Sequence, residues 1–97
     1  MQPTMTTNKY GNIQYIGYGK LHREDGPAIL YAYGTLAWCL HGQHHREDGP
    51  AIMWPNGSHA WFINGKQYTF HDYCKQLNLS GEDIMFLKLK FNTCIVS

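Results

Sequence analysis

Short apolar runs separated by glycine-marked turns fill the first two thirds of the chain, and then the spacing changes. Ala28-Ile29-Leu30-Tyr31-Ala32 and its counterpart Ala51-Ile52-Met53-Trp54 read as strands. Each is followed by a turn, Tyr33-Gly34 or Pro55-Asn56-Gly57, and Asn-Gly is the strongest short hairpin signal because both residues tolerate positive φ. The return strands are Leu36-Ala37-Trp38-Cys39-Leu40 and His59-Ala60-Trp61-Phe62-Ile63, with Ile13-Gln14-Tyr15-Ile16-Gly17 as a third version. Alternation puts Tyr15, Trp38 and Trp61 on one face, expected to be the core, along with Ile13, Gly17, Leu36, Leu40, His59 and Ile63. Proline cannot donate to a ladder, so Pro27 and Pro50 are expected to mark strand beginnings.

From residue 69 the apolar period becomes helical. Thr69-Phe70-His71-Asp72 has the form of a capping box, and Phe70, Tyr73, Cys74 and Leu77 share one stripe, which predicts a helix over about 70–78. Ser80-Gly81-Glu82-Asp83 repeats the start signal, with Ile84, Leu87 and Phe91 on the next stripe. Leu87 to Phe91 also alternates with period two, so a strand competes there; the reading adopted is helix to about residue 89.

The hairpins are related by an exact repetition. His22-Arg23-Glu24-Asp25-Gly26-Pro27-Ala28-Ile29 recurs as His45-Arg46-Glu47-Asp48-Gly49-Pro50-Ala51-Ile52, an offset of 23 residues. Gly11, Gly34 and Gly57 fall in the same register, as do Gly19, Gly42 and Gly65. Such a period signals stacked supersecondary units, none able to bury its apolar face alone. The expected organisation is a flexible lead-in over 1–10, about two and a half hairpin units over 11–68, and a helical cap and tail over 69–97. The expected fold is mainly β, an antiparallel sheet of about five strands from stacked hairpins, closed by a short helix pair. The N-terminal half-unit leaves an open sheet edge, which predicts a homo-oligomer, most simply a two-fold dimer.

The glycine and aromatic positions and the hairpin units of just over twenty residues resemble a MORN-type repeat. The pattern W-x-x-x-G-x-x-H-R-x-D-G-P-A, complete from Trp38 through Gly42, His45 and Arg46 to Ala51, is similar to a MORN-variant repeat of tailed phages and giant viruses. The first unit departs from it in carrying Tyr15 for the tryptophan. The resemblance implies a β-hairpin repeat fold, a phage accessory protein and the cytoplasm of an infected cell; it implies no shared activity.

Composition sharpens this in a few places. A chain of 97 residues with 43% apolar and 14% aromatic residues is one small aromatic-rich domain. The formal charge of +1 gives no field for DNA, RNA or an anionic membrane. The three cysteines, Cys39, Cys74 and Cys94, are widely spaced and form no C-x-x-C pair, which fits a reduced setting. No signal peptide or membrane-spanning run is read.

Three chemistries compete for the repeated string. Arg23 and Arg46, with His22, His45, Asp25 and Asp48, would grip an anion, since a guanidinium donates two parallel hydrogen bonds to phosphate. Tyr18, Tyr33 and Trp54, near turns and expected to be exposed, would stack a planar ring. Against this, shared positions in repeats mainly set the unit-to-unit interface: Asp25 and Asp48 would cap turn amides, Gly26 and Gly49 would supply unusual φ, and each arginine would pair with a neighbouring unit's carboxylate. His41, His44 and His45 diverge on a strand and turn, so no metal is expected. Duplicated identical groups are unlike an asymmetric catalytic constellation, so neither an enzyme nor a cofactor is expected, with a small phosphodiesterase-like hydrolase as the weaker alternative. The leading expectation is a counter-defence protein that sequesters an anionic nucleotide-derived signal. The alternative is a protein-interaction module that inhibits a host enzyme.

Overall fold

The structure, a computed structural model, describes residues 2–91; Met1 and residues 92–97, with Cys94, lie outside the described residues. It is mainly antiparallel β-sheet with two short helices at the C-terminal end. Ten strands, most of them short, replace the five longer ones expected. They are β1 (Thr4–Thr7), β2 (Ile13–Gly17), β3 (Lys20–Leu21), β4 (Ile29–Leu30), β5 (Leu36–Ala37), β6 (Cys39–Leu40), β7 (Gln43–His44), β8 (Ile52–Met53), β9 (His59–Ile63) and β10 (Lys66–Tyr68). The helices are α1 (Phe70–Gln76) and α2 (Gly81–Lys90).

The main sheet runs β1-β2-β4-β5-β8-β9-β10, with β3 paired to β2 off this path and β6–β7 forming a separate hairpin. The strands are short because each return strand changes partner midway. In β2, Ile13 and Gln14 face β4, whereas Ile16 and Gly17 face β3. In β9, His59 and Ala60 face β8, whereas Trp61, Phe62 and Ile63 face β10. The expected strand over 36–40 is divided at Trp38 for the same reason. Its first half pairs with β4 and β8, and its second half folds back on β7.

The turns into β3, β7 and β10 place two successive residues at positive φ: Tyr18-Gly19, His41-Gly42 and Asn64-Gly65. That is the type I′ requirement, whose twist suits a two-residue hairpin. Backbone bonds then tie each hairpin to the next. Gly42 N–H donates to the Leu21 carbonyl and Gly65 N–H to the His44 carbonyl, each at 2.8 Å.

Residues 4–7, expected to belong to a flexible lead-in, form β1 and pair with residues 13–16 of β2. Strand β1 therefore extends the sheet past the edge expected to be open, and its own outer side, on four exposed residues, becomes the edge. Core placement also needs correction. Trp61 and Ile63 are buried, but Tyr15, Leu36, Trp38 and Leu40 are only half-buried, while Ala37, Cys39 and Ala60 on the alternate positions are buried.

The densest packing is at the C-terminal end, where Trp61 and Ile63 meet Phe70, Tyr73, Cys74, Leu87 and Phe91. Both helices start as their sequences specify. The Thr69 hydroxyl accepts from Asp72 N–H and the Ser80 hydroxyl from Asp83 N–H, satisfying amides that the helix leaves unpaired. Among the described residues, no helix is long and apolar enough to cross a membrane.

Candidate functional site

The two His-Arg-Glu-Asp-Gly-Pro loops lie on one side of the sheet and flank an open groove of about 670 Å³ lined by Arg23, Asp25, Trp38, His45, Arg46 and Asp48, among others. Each loop folds around its arginine. Arg46 Nε donates to Asp48 at 2.9 Å and Nη1 to the Pro50 carbonyl at 3.1 Å; Arg23 makes the same bonds to Asp25 and Pro27 at 3.1 and 3.2 Å. The guanidinium then stands over an aromatic ring, Arg23 Cζ 4.0 Å from the Tyr15 centroid and Arg46 Cζ 3.9 Å from that of Trp38. Stacking of a weakly hydrated planar cation on a ring face is favourable, more so where water is excluded.

Three details of the sequence reading change here. Each arginine pairs with an aspartate two residues on in its own loop, not with a neighbouring unit. The aspartates accept from arginine instead of capping turn amides. Gly26 and Gly49 are absent from the residues at positive φ, so they do not supply unusual backbone. They supply space: a Cβ on Gly49 would stand 2.7 Å from both Arg46 Cζ and Phe91 Cζ, and one on Gly26 would stand 3.0 Å from Arg23 Cζ.

The histidines staple the loops to the following hairpin. His22 Nδ1 accepts from His41 N–H at 3.0 Å and His45 Nδ1 from Asn64 N–H at 2.9 Å, both at positive-φ turn positions. An amide is always a donor, so in each ring Nδ1 carries the lone pair and Nε2 the proton, which points at Glu24 or Glu47. His22 is buried. These two rings, expected as ligand contacts, spend both nitrogens on the fold.

The loops differ in what lies beneath them. The Tyr73 hydroxyl donates to the Arg46 carbonyl at 2.6 Å, and Gly49 N–H approaches the same hydroxyl at 3.4 Å. Burial pushes this phenol well above its ordinary range. Phe91 closes over Gly49 and lies 5.2 Å from Arg46. Tyr73 and Phe91 thus position the second loop, a role invisible in the sequence beyond their place on a helical stripe.

The three exposed aromatics do not converge on the groove. Tyr18 packs edge-on against His22 at a hairpin turn, Tyr33 packs on Tyr31, and Trp54 begins the turn after β8. Trp38, expected in the core, is the groove's aromatic wall instead. Electrostatically, the lining sets two guanidinium charges against four carboxylates, Glu24, Asp25, Glu47 and Asp48, a net of −2 with His45 neutral. The carboxylates are exposed, whereas the Arg46 side chain keeps only 10% of its surface. Among the described residues no group of three or more His, Cys, Asp or Glu could hold a metal ion. Burial pushes the Cys39 thiol up to about 11, leaving it protonated and a poor nucleophile near neutral pH. Comparison of the chain with protein-family models, with curated proteins and with solved structures gives no match.

Proposed function

We propose that the chain is a non-enzymatic protein-interaction module, built as a MORN-like stack of hairpins with a period of 23, whose twin-loop groove receives a basic segment of a partner protein. One observation carries this reading: the arginines are spent within their own loops, and four exposed carboxylates set the outward charge. An anionic ligand would meet that negative field before reaching either guanidinium, whereas a lysine- or arginine-bearing segment is drawn toward it. The half-buried Trp38 offers an apolar contact for the same segment.

A second reading, capture of an anionic nucleotide, is supported by the presence of Arg23, Arg46 and Trp38 in one groove. A paired measurement separates the two. A fluorescently labelled hexa-lysine peptide carrying one tryptophan is expected to bind in anisotropy titrations, more weakly at high salt, and more weakly still to Glu24→Gln/Glu47→Gln. Cyclic di-AMP and ADP-ribose are expected to leave the melting temperature unchanged. Stabilisation by either nucleotide, lost in Arg46→Ala, with no peptide binding, would replace the first reading with the second.

A further inference from the structure

The helical cap holds a second concavity of opposite electrostatic character. Helices α1 and α2 diverge from the turn at Asn78, whose φ is +54°, and leave between them a cleft of about 600 Å³. That is within the about 300–1,000 Å³ typical of small-molecule sites. Its apolar wall is Phe70, Cys74, Leu79 and Ile84. Phe70 and Cys74 are buried in the core, whereas Leu79 and Ile84 pack on that core yet remain half-exposed. The apolar surface this cleft presents to solvent therefore comes mainly from Leu79 and Ile84.

Its polar lining is His71, Asn78, Lys75 and Lys88, with no carboxylate. Neither lysine makes an ion pair among the described residues, where every salt bridge lies within a His-Arg-Glu-Asp-Gly-Pro loop. Lys75 and Lys88 both line the cleft, and the Lys88 ammonium acts against the burial that pushes the Cys74 thiol up. Lysines in the last turns of α1 and α2 complement the helix dipoles, which accounts for their presence there. It does not account for an acid-free lining, since Asp72, Glu82 and Asp83 lie on the same two helices yet none of them lines the cleft.

We propose that the cleft between α1 and α2 binds a single-chain anionic amphiphile, an acyl carboxylate whose chain lies along Phe70, Leu79 and Ile84 and whose headgroup meets Lys75 and Lys88. The chemistry follows from the lining. The wall supplies aliphatic and ring-edge contact but little to hydrogen-bond a base or a sugar, so the buried part of the ligand is hydrocarbon. Two unpaired ammonium groups at the rim select a negative head, and their alkyl stems extend the apolar surface toward it. The cleft lies on the cap, apart from the twin-loop groove, so this inference stands independently of the function proposed for the groove.

The test uses the full chain with dodecanoate below its micellar concentration, and dodecyltrimethylammonium and dodecyl maltoside as controls of equal chain length. Calorimetric titration should give one site per chain for dodecanoate, at least about tenfold tighter than either control, a difference expected for pairing with cations. Amide shift changes on titration should centre on Cys74, Leu79, Ile84 and Lys88. Lys75→Gln/Lys88→Gln should weaken dodecanoate at least about tenfold while leaving dodecyl maltoside binding unchanged, with only the small fall in melting temperature that loss of two helix-dipole partners brings. Equal affinity for the cationic control, or dodecanoate binding unaffected by the double substitution, would overturn the proposal. So would association with phosphatidylglycerol vesicles without binding of free dodecanoate, which would make the cap a lipid-surface contact instead.

Discussion

The Arg46 guanidinium stands over the Trp38 ring, 3.9 Å from its centroid, and Arg23 stands over Tyr15 in the same way. Trp61, next in this series, has no arginine loop after it; Phe70 and Tyr73 pack on it instead, each with its ring centre 4.8 Å away. A cation and a helical cap thus cover equivalent aromatic surfaces. Arg46→Ala should destabilise the fold by about 2 kcal/mol, the value of a desolvated stacked cation. Arg23→Ala, whose side chain keeps 24% of its surface, should cost about 0.5–1 kcal/mol. Arg46→Lys should recover little, because an ammonium cannot stack or fork as a guanidinium does. Urea unfolding of the three variants measures the order; equal losses at both arginines would contradict it.

Gly49 and Gly26 occupy the same place in identical strings, yet they should respond differently to alanine. At Gly49 the new methyl meets both Arg46 and the ring of Phe91, so overpacking of about 1–3 kcal/mol is expected. At Gly26 it meets only the end of a partly exposed Arg23, which can move. Alanine there also restricts the unfolded chain, a gain of about 0.4–1 kcal/mol, so Gly26→Ala should be close to neutral. Thermal denaturation of the pair checks the contrast.

Removing the Tyr73 hydroxyl leaves the part-buried Arg46 carbonyl and the buried Gly49 amide short of a partner. Tyr73→Phe should therefore cost about 1–3 kcal/mol without opening a cavity. Hydrogen exchange should speed up in residues 45–50 while α1 keeps its protection, and a loss spread evenly over the cap would argue for a packing role alone.

Stability should fall in alkaline solution. Burial raises the folded-state ionisation of Cys39 from 9.0 to about 11 and raises that of Tyr73 from 10.0. Both groups are neutral when folded. Their contribution is complete below pH 9 and is lost as pH rises through the folded values, because the unfolded chain releases these protons first. Cys39→Ala should flatten the part of the decline that begins near pH 9, and urea midpoints across pH 8–11 follow it directly. A midpoint that rises over this range would show that the two groups do not govern it.

The hairpin-rich antiparallel character and both helix starts were legible because each is dictated by neighbours in sequence: alternation, turn glycines, a hydroxyl three residues before an amide. The paired positive φ expected at Asn56-Gly57 falls instead at Asn64-Gly65 and its two counterparts. Strand β1 was not legible. Thr4-Met5-Thr6-Thr7 is polar and short, and it becomes a strand because β2 offers an unpaired edge, which is a tertiary cause. The site divided in the same way. Repetition of the string identified Arg23, Arg46, Asp25, Asp48, His22 and His45 as a group. That the guanidiniums turn back onto Tyr15 and Trp38, and that the imidazoles bond to turns nineteen residues on, depends on how the hairpins lie together. No local rule reports that.

The unequal support of the twin loops has a mechanical consequence. The loop over Tyr73 and Phe91 is a fixed jaw, held from below by a phenol and a ring. Among the described residues its counterpart at 22–27 has no phenol bonded beneath it and no ring against Gly26, so it is expected to be the more compliant jaw. A ligand entering the groove would therefore spend its ordering entropy almost wholly on one side. Closure would be a movement of Arg23, Glu24 and Asp25 toward a stationary Arg46.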